Sequence, residues 1–192
     1  WAPGPRRVTP GSGGLACRYP ARMQVTLREW QTGDEAAAVR WSRDWAFCRA
    51  NGWTPELSAQ QVREWWRERG EQAKYLRMIE VDGGLVGYAE WQDVQGGEAE
   101  LGIAIGDSGL WGQGVGTQAG KQMLAWAFGE LGLRRVWAEV HEPNARSLAL
   151  MRRLGLREVS KNGTGEYQGA VVPMVQFELL CGKVRINRPA GE

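Results

Sequence analysis

Hydrophobic and polar positions alternate along several stretches of the chain, and elsewhere they recur at the spacing of one helix face. From Met23, "MQVTLREW" alternates as a strand does, and residues from about Thr32 to Trp45 then carry a helical pattern. "SAQQVREWWRERG" (58–70) reads as an amphipathic helix, with Ser58 as its N-cap and Gly70 as its stop. Three strand-like runs follow: "YLRMIEV" (75–81), "LVGYAEW" (85–91) and "EAELGIAI" (98–105). "DGG" and "VQGG" join them with the residues of tight hairpin turns, so the pattern predicts an antiparallel meander. In "TQAGKQMLAWAFGEL" (117–131), Ala119, Met123, Ala127 and Leu131 keep helical spacing until Gly132. "RVWAEV" (135–140) is a short strand, and "NARSLALMRRLG" (144–155) a helix capped by Asn144 and stopped by Gly155. "VVPMVQFELL" (171–180) is the last strand. Strands on both sides of helices indicate an α/β (α+β) domain with a mixed sheet.

At 192 residues the chain suffices for one domain with a full core and is short for two. The expected domain is 24–181, between a Pro- and Gly-rich tail (1–23) and a C-terminal tail (182–192), with Met23 as a candidate native start. Twenty-four basic residues against 22 acidic ones leave a net charge of +2, which argues against bulk nucleic-acid binding. Cys17, Cys48 and Cys181 are far apart and odd in number, which fits a reduced, cytoplasmic protein. With one histidine, His141, and no metal-like spacing, no metal is expected. No run reaches the length of a membrane span or a signal peptide, so no membrane partner is expected either.

"WGQGVGT" (111–117) changes the picture. Three glycines at alternate positions bare the backbone just before a helix, where unpaired amides and the positive dipole end favour an anion such as a diphosphate. A tight turn with no ligand is the plainer reading. "GVGTQA" (114–119) also satisfies the permissive dinucleotide fingerprint, but "GDSGLW" separates it from its strand and a meander precedes it, so a Rossmann unit is rejected.

Gly114-Val115-Gly116 and "NARSLALMRRLGL" (144–156), together with "AELGIAI" (99–105), resemble the GNAT superfamily of acyl-CoA-dependent N-acetyltransferases over about residues 24–180. Trp111 stands where that signature usually has Arg or Gln, and Leu156 where it has Phe. An aromatic residue before this loop is similar to the subgroup containing the ribosomal-protein serine and alanine N-acetyltransferases. The resemblance implies a mixed, twisted, mainly antiparallel sheet flanked by helices, and acetyl-CoA as co-substrate. It implies a diphosphate on the loop formed by Trp111, Gly112, Gln113, Gly114, Val115, Gly116 and Thr117. The pantetheine arm would pair with the strand backbone at Ile103, Ala104 and Ile105 like an added strand. Gly102 and Ala104 then share the face left open for close approach, and Leu101, Ile103 and Ile105 turn to the core. Asn144, beyond capping its helix, would contact the pantetheine amide or an ordered water. Trp41, Trp45, Trp53, Trp65 and Trp66 fall where the family builds its acceptor pocket, although such rings are also core formers.

Acetyl transfer to an amine needs the neutral amine. Deprotonating a lysine amine at pH 7 costs about 4.6 kcal/mol, whereas an α-amine costs only about 1–1.4 kcal/mol. Glu100 is the candidate base: it sits two positions from Gly102 and matches the glutamate base of histone-type relatives; a strand-edge carboxylate in water or a salt bridge is the alternative. Ser147 is either a capping hydroxyl or a hydrogen-bond donor to the leaving thiolate. Met151 occupies the position at which many relatives carry a tyrosine acid, which excludes that mechanism. His141 is a structural histidine or a substrate contact. Arg152 and Arg153 would meet the 3′-phosphate of CoA, or form a solvated helix face. No cysteine falls in the motif positions, so direct transfer to a primary amine is expected, from acetyl-CoA, by a monomer or homodimer. The competing expectation is a non-catalytic acyl-CoA-binding or sensing domain.

Overall fold

Asp82 and Gly83 both take positive φ (50° and 81°), as do Gly96 and Gly97 (59° and 80°). Each pair makes the two-residue turn whose twist matches that of antiparallel strands. The turns join β2 (Leu76–Val81), β3 (Gly84–Gln95) and β4 (Glu98–Ile105) into the expected meander, and β1 (Val25–Arg28) adds to its outer edge. The computed structural model describes residues 23–53 and 57–182; the tails expected at 1–23 and 182–192 lie outside these, save for Met23 and Gly182. Met23 packs against the core.

β5 (Arg135–His141), β6 (Arg157–Ser160), β7 (Thr164–Tyr167) and β8 (Ala170–Leu180) complete an eight-stranded sheet in the order β1-β2-β3-β4-β5-β8-β6, with β7 on β8. Among the described residues only the β4–β5 pair is parallel, giving the mixed, mainly antiparallel sheet that was expected. The sequence pattern did not predict β6 or β7. Each has only four residues; β6 is mostly exposed and β7 turns inward only at Gly165 and Tyr167, too few positions to mark an alternation.

Helices cover both faces. α1 (Glu35–Trp41), α2 (Trp45–Asn51) and α3 (Ala59–Gln72) bury Trp41, Phe47 and Trp66 against Leu76, Met78 and Ala104. On the other face α4 (Val115–Gly129) and α5 (Ala145–Arg153) pack Ala119, Met123 and Met151 with Leu101, Val136 and Ala138. Ser58 caps α3 in a reciprocal pair with Gln61, and Gly155 turns the chain after α5 at φ 87°, both as expected.

Two expectations are corrected. The pattern from Thr32 to Trp45 is not one helix: the Asp44 carboxylate accepts from the Phe47 amide (3.0 Å) and starts a second helix there. Gly70 does not stop α3, which runs on to Gln72. It is a contact glycine, since a Cβ there would lie 2.2 Å from Cδ2 of the Trp30 indole. Among the described residues, no helix is long and apolar enough to cross a membrane.

Candidate active site

β4 and β5 pair only at their start, through Glu98, Glu100 and the residues between, opposite Arg135–Trp137. Beyond that point the two strands part, and the β5-facing edge of β4 has no strand partner from Leu101 to Ile105. A cleft of about 440 Å³ fills the fork. Ile103, Ala104 and Ile105 form one wall, the loop from Leu110 to Thr117 the end, and Asn144, Ser147, Leu150 and Arg153 of α5 the other wall. Ala50 and Asn51 reach in from α2. The cleft follows an edge rather than a face of β4. This corrects the assignment of one open face through Gly102 and Ala104: Ala104 packs with the α1–α3 cluster, and the space over Gly102 is taken by Glu90 and Gln92.

The glycine loop is built for its backbone. Gly112 and Gly114 stand at φ 78° and 87°, a left-handed conformation that L side chains resist. Gly114 is the N-cap of the fifteen-residue α4, and no side chain caps that helix. The amides of Gly112, Gly114, Val115, Gly116 and Thr117 donate to no acceptor among the described residues. Five free amides at a helix N-terminus form an anion cradle. Gln113 stands apart from the rest of the loop. Its amide is spent on Leu110 O (3.3 Å), its side chain turns back to Gly109 O (2.7 Å), and it does not line the cleft.

Trp111 lines the cleft with its indole Nε1 bonded to Ile105 O (2.8 Å), and the Arg146 guanidinium lies 4.0 Å from its ring centroid. Asn144 caps α5 by accepting from the Ser147 amide (3.2 Å), which points the first turn of α5 into the fork. Met151 is buried core. Arg152 faces away from the cleft, 3.5 Å from Glu158, while Arg153 and Arg146 line it. The expected 3′-phosphate contact at Arg152 is therefore not where the cleft lies. His141 stacks on Tyr167 (5.1 Å between centroids) and sits beneath Gly165 of β7, in a packing role.

Glu100 lies at the crotch of the fork, where β4 and β5 separate, and does not line the cleft itself. It is half-buried and forms no ion pair among the described residues. Burial pushes its carboxyl above the usual range; the Glu139 amide pulls the other way, and the carboxylates of Glu139, Asp93 and Glu90 add to the rise. A carboxylate of raised pKa is a stronger base, which suits proton abstraction. Of the five tryptophans assigned to an acceptor pocket, Trp41 and Trp66 are core, and Trp45 and Trp65 are exposed. None of the five lines the cleft.

The family model for the Acetyltransferase (GNAT) domain matches residues 24–157. The chain belongs to the GNAT acetyltransferase family. Among curated relatives it is 22% identical to the uncharacterized N-acetyltransferase p20 of Bacillus licheniformis, over 82% of this chain and 93% of that one. It is 26% identical to the uncharacterized protein MJ1062 of Methanocaldococcus jannaschii, over 54% of this chain but only 22% of that protein's length. Its fold is that of the Vibrio cholerae spermidine N-acetyltransferase solved with CoA and spermine (TM-score 0.69, 20% identity, 82% of this chain, 95% of that chain). It is equally that of Mycobacterium smegmatis RimJ solved with CoA-disulfide (TM-score 0.69, 22% identity, 84% of each chain).

For a GNAT chain the fit to an acyl-CoA can be judged from these residues alone. The cradle has donors for a diphosphate, and the open edge of β4 offers backbone groups for an amide-bearing arm. Sequence reasoning missed Arg146. Its signal was present in the spacing, since Arg146, Leu150 and Arg153 recur at i, i+4 and i+7 on one side of α5.

Proposed function

We propose that the chain is an acetyl-CoA-dependent N-acetyltransferase, carrying acetyl directly to a primary amine at a protein N-terminus or on a small molecule. The observation that carries this reading is the set of five free amides at the closed end of a cleft along an unpaired strand edge. Acetyl-CoA would supply the acetyl group as an activated thioester. The residues of the chain would do the rest. The amides from Gly112 to Thr117 hold the diphosphate, and the β4 edge at Ile103–Ile105 aligns the arm so that its end reaches the crotch of the fork. Glu100, directly or through a water, removes the proton from the amine at that end. The Ser147 hydroxyl, aimed into the cleft by the Asn144 cap, donates to the departing sulfur. The aromatic residue before the glycine loop, which resembles the serine and alanine N-acetyltransferase subgroup, favours an α-amine, which is also the acceptor that asks least of its base.

A second reading, an acyl-CoA-binding domain without turnover, is favoured by one observation: buried Met151 leaves no tyrosine acid on α5. The test is calorimetric CoA binding together with release of free CoA thiol over a panel of amines, including Ser- and Ala-initiated peptides and a polyamine. Turnover with any amine supports the enzyme. Tight CoA binding with no thiol release from any of them supports the sensing domain.

A further inference from the structure

We propose that Arg146 is a cofactor-positioning residue whose guanidinium binds the diphosphate of the acyl-CoA from across the cleft; this rests on the reading of the cleft as an acyl-CoA site. Arginines that fasten this fold do so through carboxylates or backbone carbonyls: Arg28 holds Asp34 and Glu80, Arg135 holds Glu98 and Glu178, and Arg134 donates to Gly96 O (2.8 Å). Arg146 forms no ion pair among the described residues. It lines the cleft, with its Cζ over the Trp111 ring at 4.0 Å from the centroid.

That arrangement leaves its donors free. A cation–π contact consumes no N–H group, and the Arg146 side chain donates no hydrogen bond among the described residues, so its five N–H groups remain open. The indole is itself immobilised by its bond to Ile105 O (2.8 Å), so the cation rests on a fixed platform. The platform is the residue immediately before the amide cradle. Trp111 and Arg146 thus reconnect the two limbs of the fork, β4 with its loop and β5 with α5, at the one end where the strands no longer pair. A ligand group that engages the five amides and this guanidinium together is a doubly charged diphosphate, with amides on one side and a planar cation on the other.

The test compares wild type, Arg146→Gln and Arg146→Lys by calorimetry with CoA and dephospho-CoA, and by ligand-observed NMR with pantetheine, which carries no phosphate. Arg146→Gln is expected to weaken CoA and dephospho-CoA equally, by about tenfold or more, as loss of a charge-assisted bond requires. Its pantetheine binding should stay within about twofold of wild type, and Arg146→Lys should recover part of the loss. A loss confined to CoA would move the contact to the 3′-phosphate and overturn the assignment. An equal loss for pantetheine would make Arg146 a packing strut, and unchanged CoA affinity would remove it from the site; either overturns the proposal. A wild-type chain that binds no CoA would instead overturn the function reading on which the proposal rests. Thermal unfolding of each variant keeps misfolding apart from these outcomes.

Discussion

Gly114 and Gly116 lie two residues apart in one loop, yet the same substitution is expected to act on them in opposite directions. At Gly114 a Cβ would meet nothing within 4 Å, so space is not the constraint. The constraint is φ 87°, where an L-residue costs about 1–2 kcal/mol. Gly116 lies inside the first turn of α4, and its Cβ would touch Leu150 Cδ2 at 3.4 Å, an ordinary contact. Alanine there gains up to about 1 kcal/mol of helix propensity. At roughly 2–4 °C per kcal/mol for a domain of this size, Gly114→Ala should lower Tm by about 2–8 °C, and Gly116→Ala should leave it unchanged or raise it by up to about 4 °C. A third variant separates fold from site. Gly116→Glu puts an acid in the first turn, where the helix dipole favours it, so stability should hold. The same carboxylate sits among the five free amides, so calorimetric CoA binding should be lost. Differential scanning fluorimetry and CoA titration on the three proteins decide the matter. Equal Tm shifts for the two alanine variants would refute the conformational argument, and intact CoA affinity in Gly116→Glu would refute the cradle.

Glu100→Gln should lower kcat/KM at pH 7 by up to about 10²–10⁴-fold on a lysine-like acceptor, with much less loss on an α-amine; parallel pH–rate profiles within twofold would remove Glu100 from the reaction. The same variant has a stability signature. Because the folded carboxyl titrates above its unfolded value, the wild type loses stability as pH rises from about 4.5 through the folded value, so Glu100→Gln should be the more stable protein above that window and no different below it, as urea unfolding across pH would read. Ser147→Ala should reduce kcat more than it weakens CoA binding; loss of thermal stability with unchanged kcat would leave only a structural role. Gly70→Ala should destabilise by about 1–3 kcal/mol, because its methyl would have to displace the Trp30 ring, and a wild-type urea midpoint would show that the ring yields freely. Glu178 is held below the usual carboxylate range by Arg157 and Arg135. Its contribution is therefore present above about pH 4.5 and is lost as pH falls through the lowered value, so Glu178→Gln should flatten the acid limb of the stability profile.

Where a feature depends on residues near one another in the chain, it was legible in the sequence. Ser58 and Asn144 cap helices because a side-chain oxygen reaches an amide three residues on, and the Asp82-Gly83 and Gly96-Gly97 turns need only their own positive φ. Alternation and helical spacing then placed the long strands and helices, since burying one face of each leaves a periodic trace. The meander, the glycine loop at the start of α4 and the family follow from these local patterns. What the tertiary structure decided lies between residues far apart in sequence. Gly70 looks like a helix stop until Trp30, forty residues away, is packed against it. Asp44 divides the first helical stretch by starting α2, and its second oxygen takes the Ser108 amide (2.9 Å), tying α2 to the approach of the loop. The fork exists because β4 and β5 stop pairing after Glu100, and no pattern within either strand marks that point. Arg146 and Arg153 differ from Arg152 only by a rotation about the α5 axis, and the face that meets the cleft is set by where Met151 and Leu154 are buried. Composition and short-range stereochemistry select the elements; the long-range packing of apolar side chains decides which of their polar groups end up facing the same cleft.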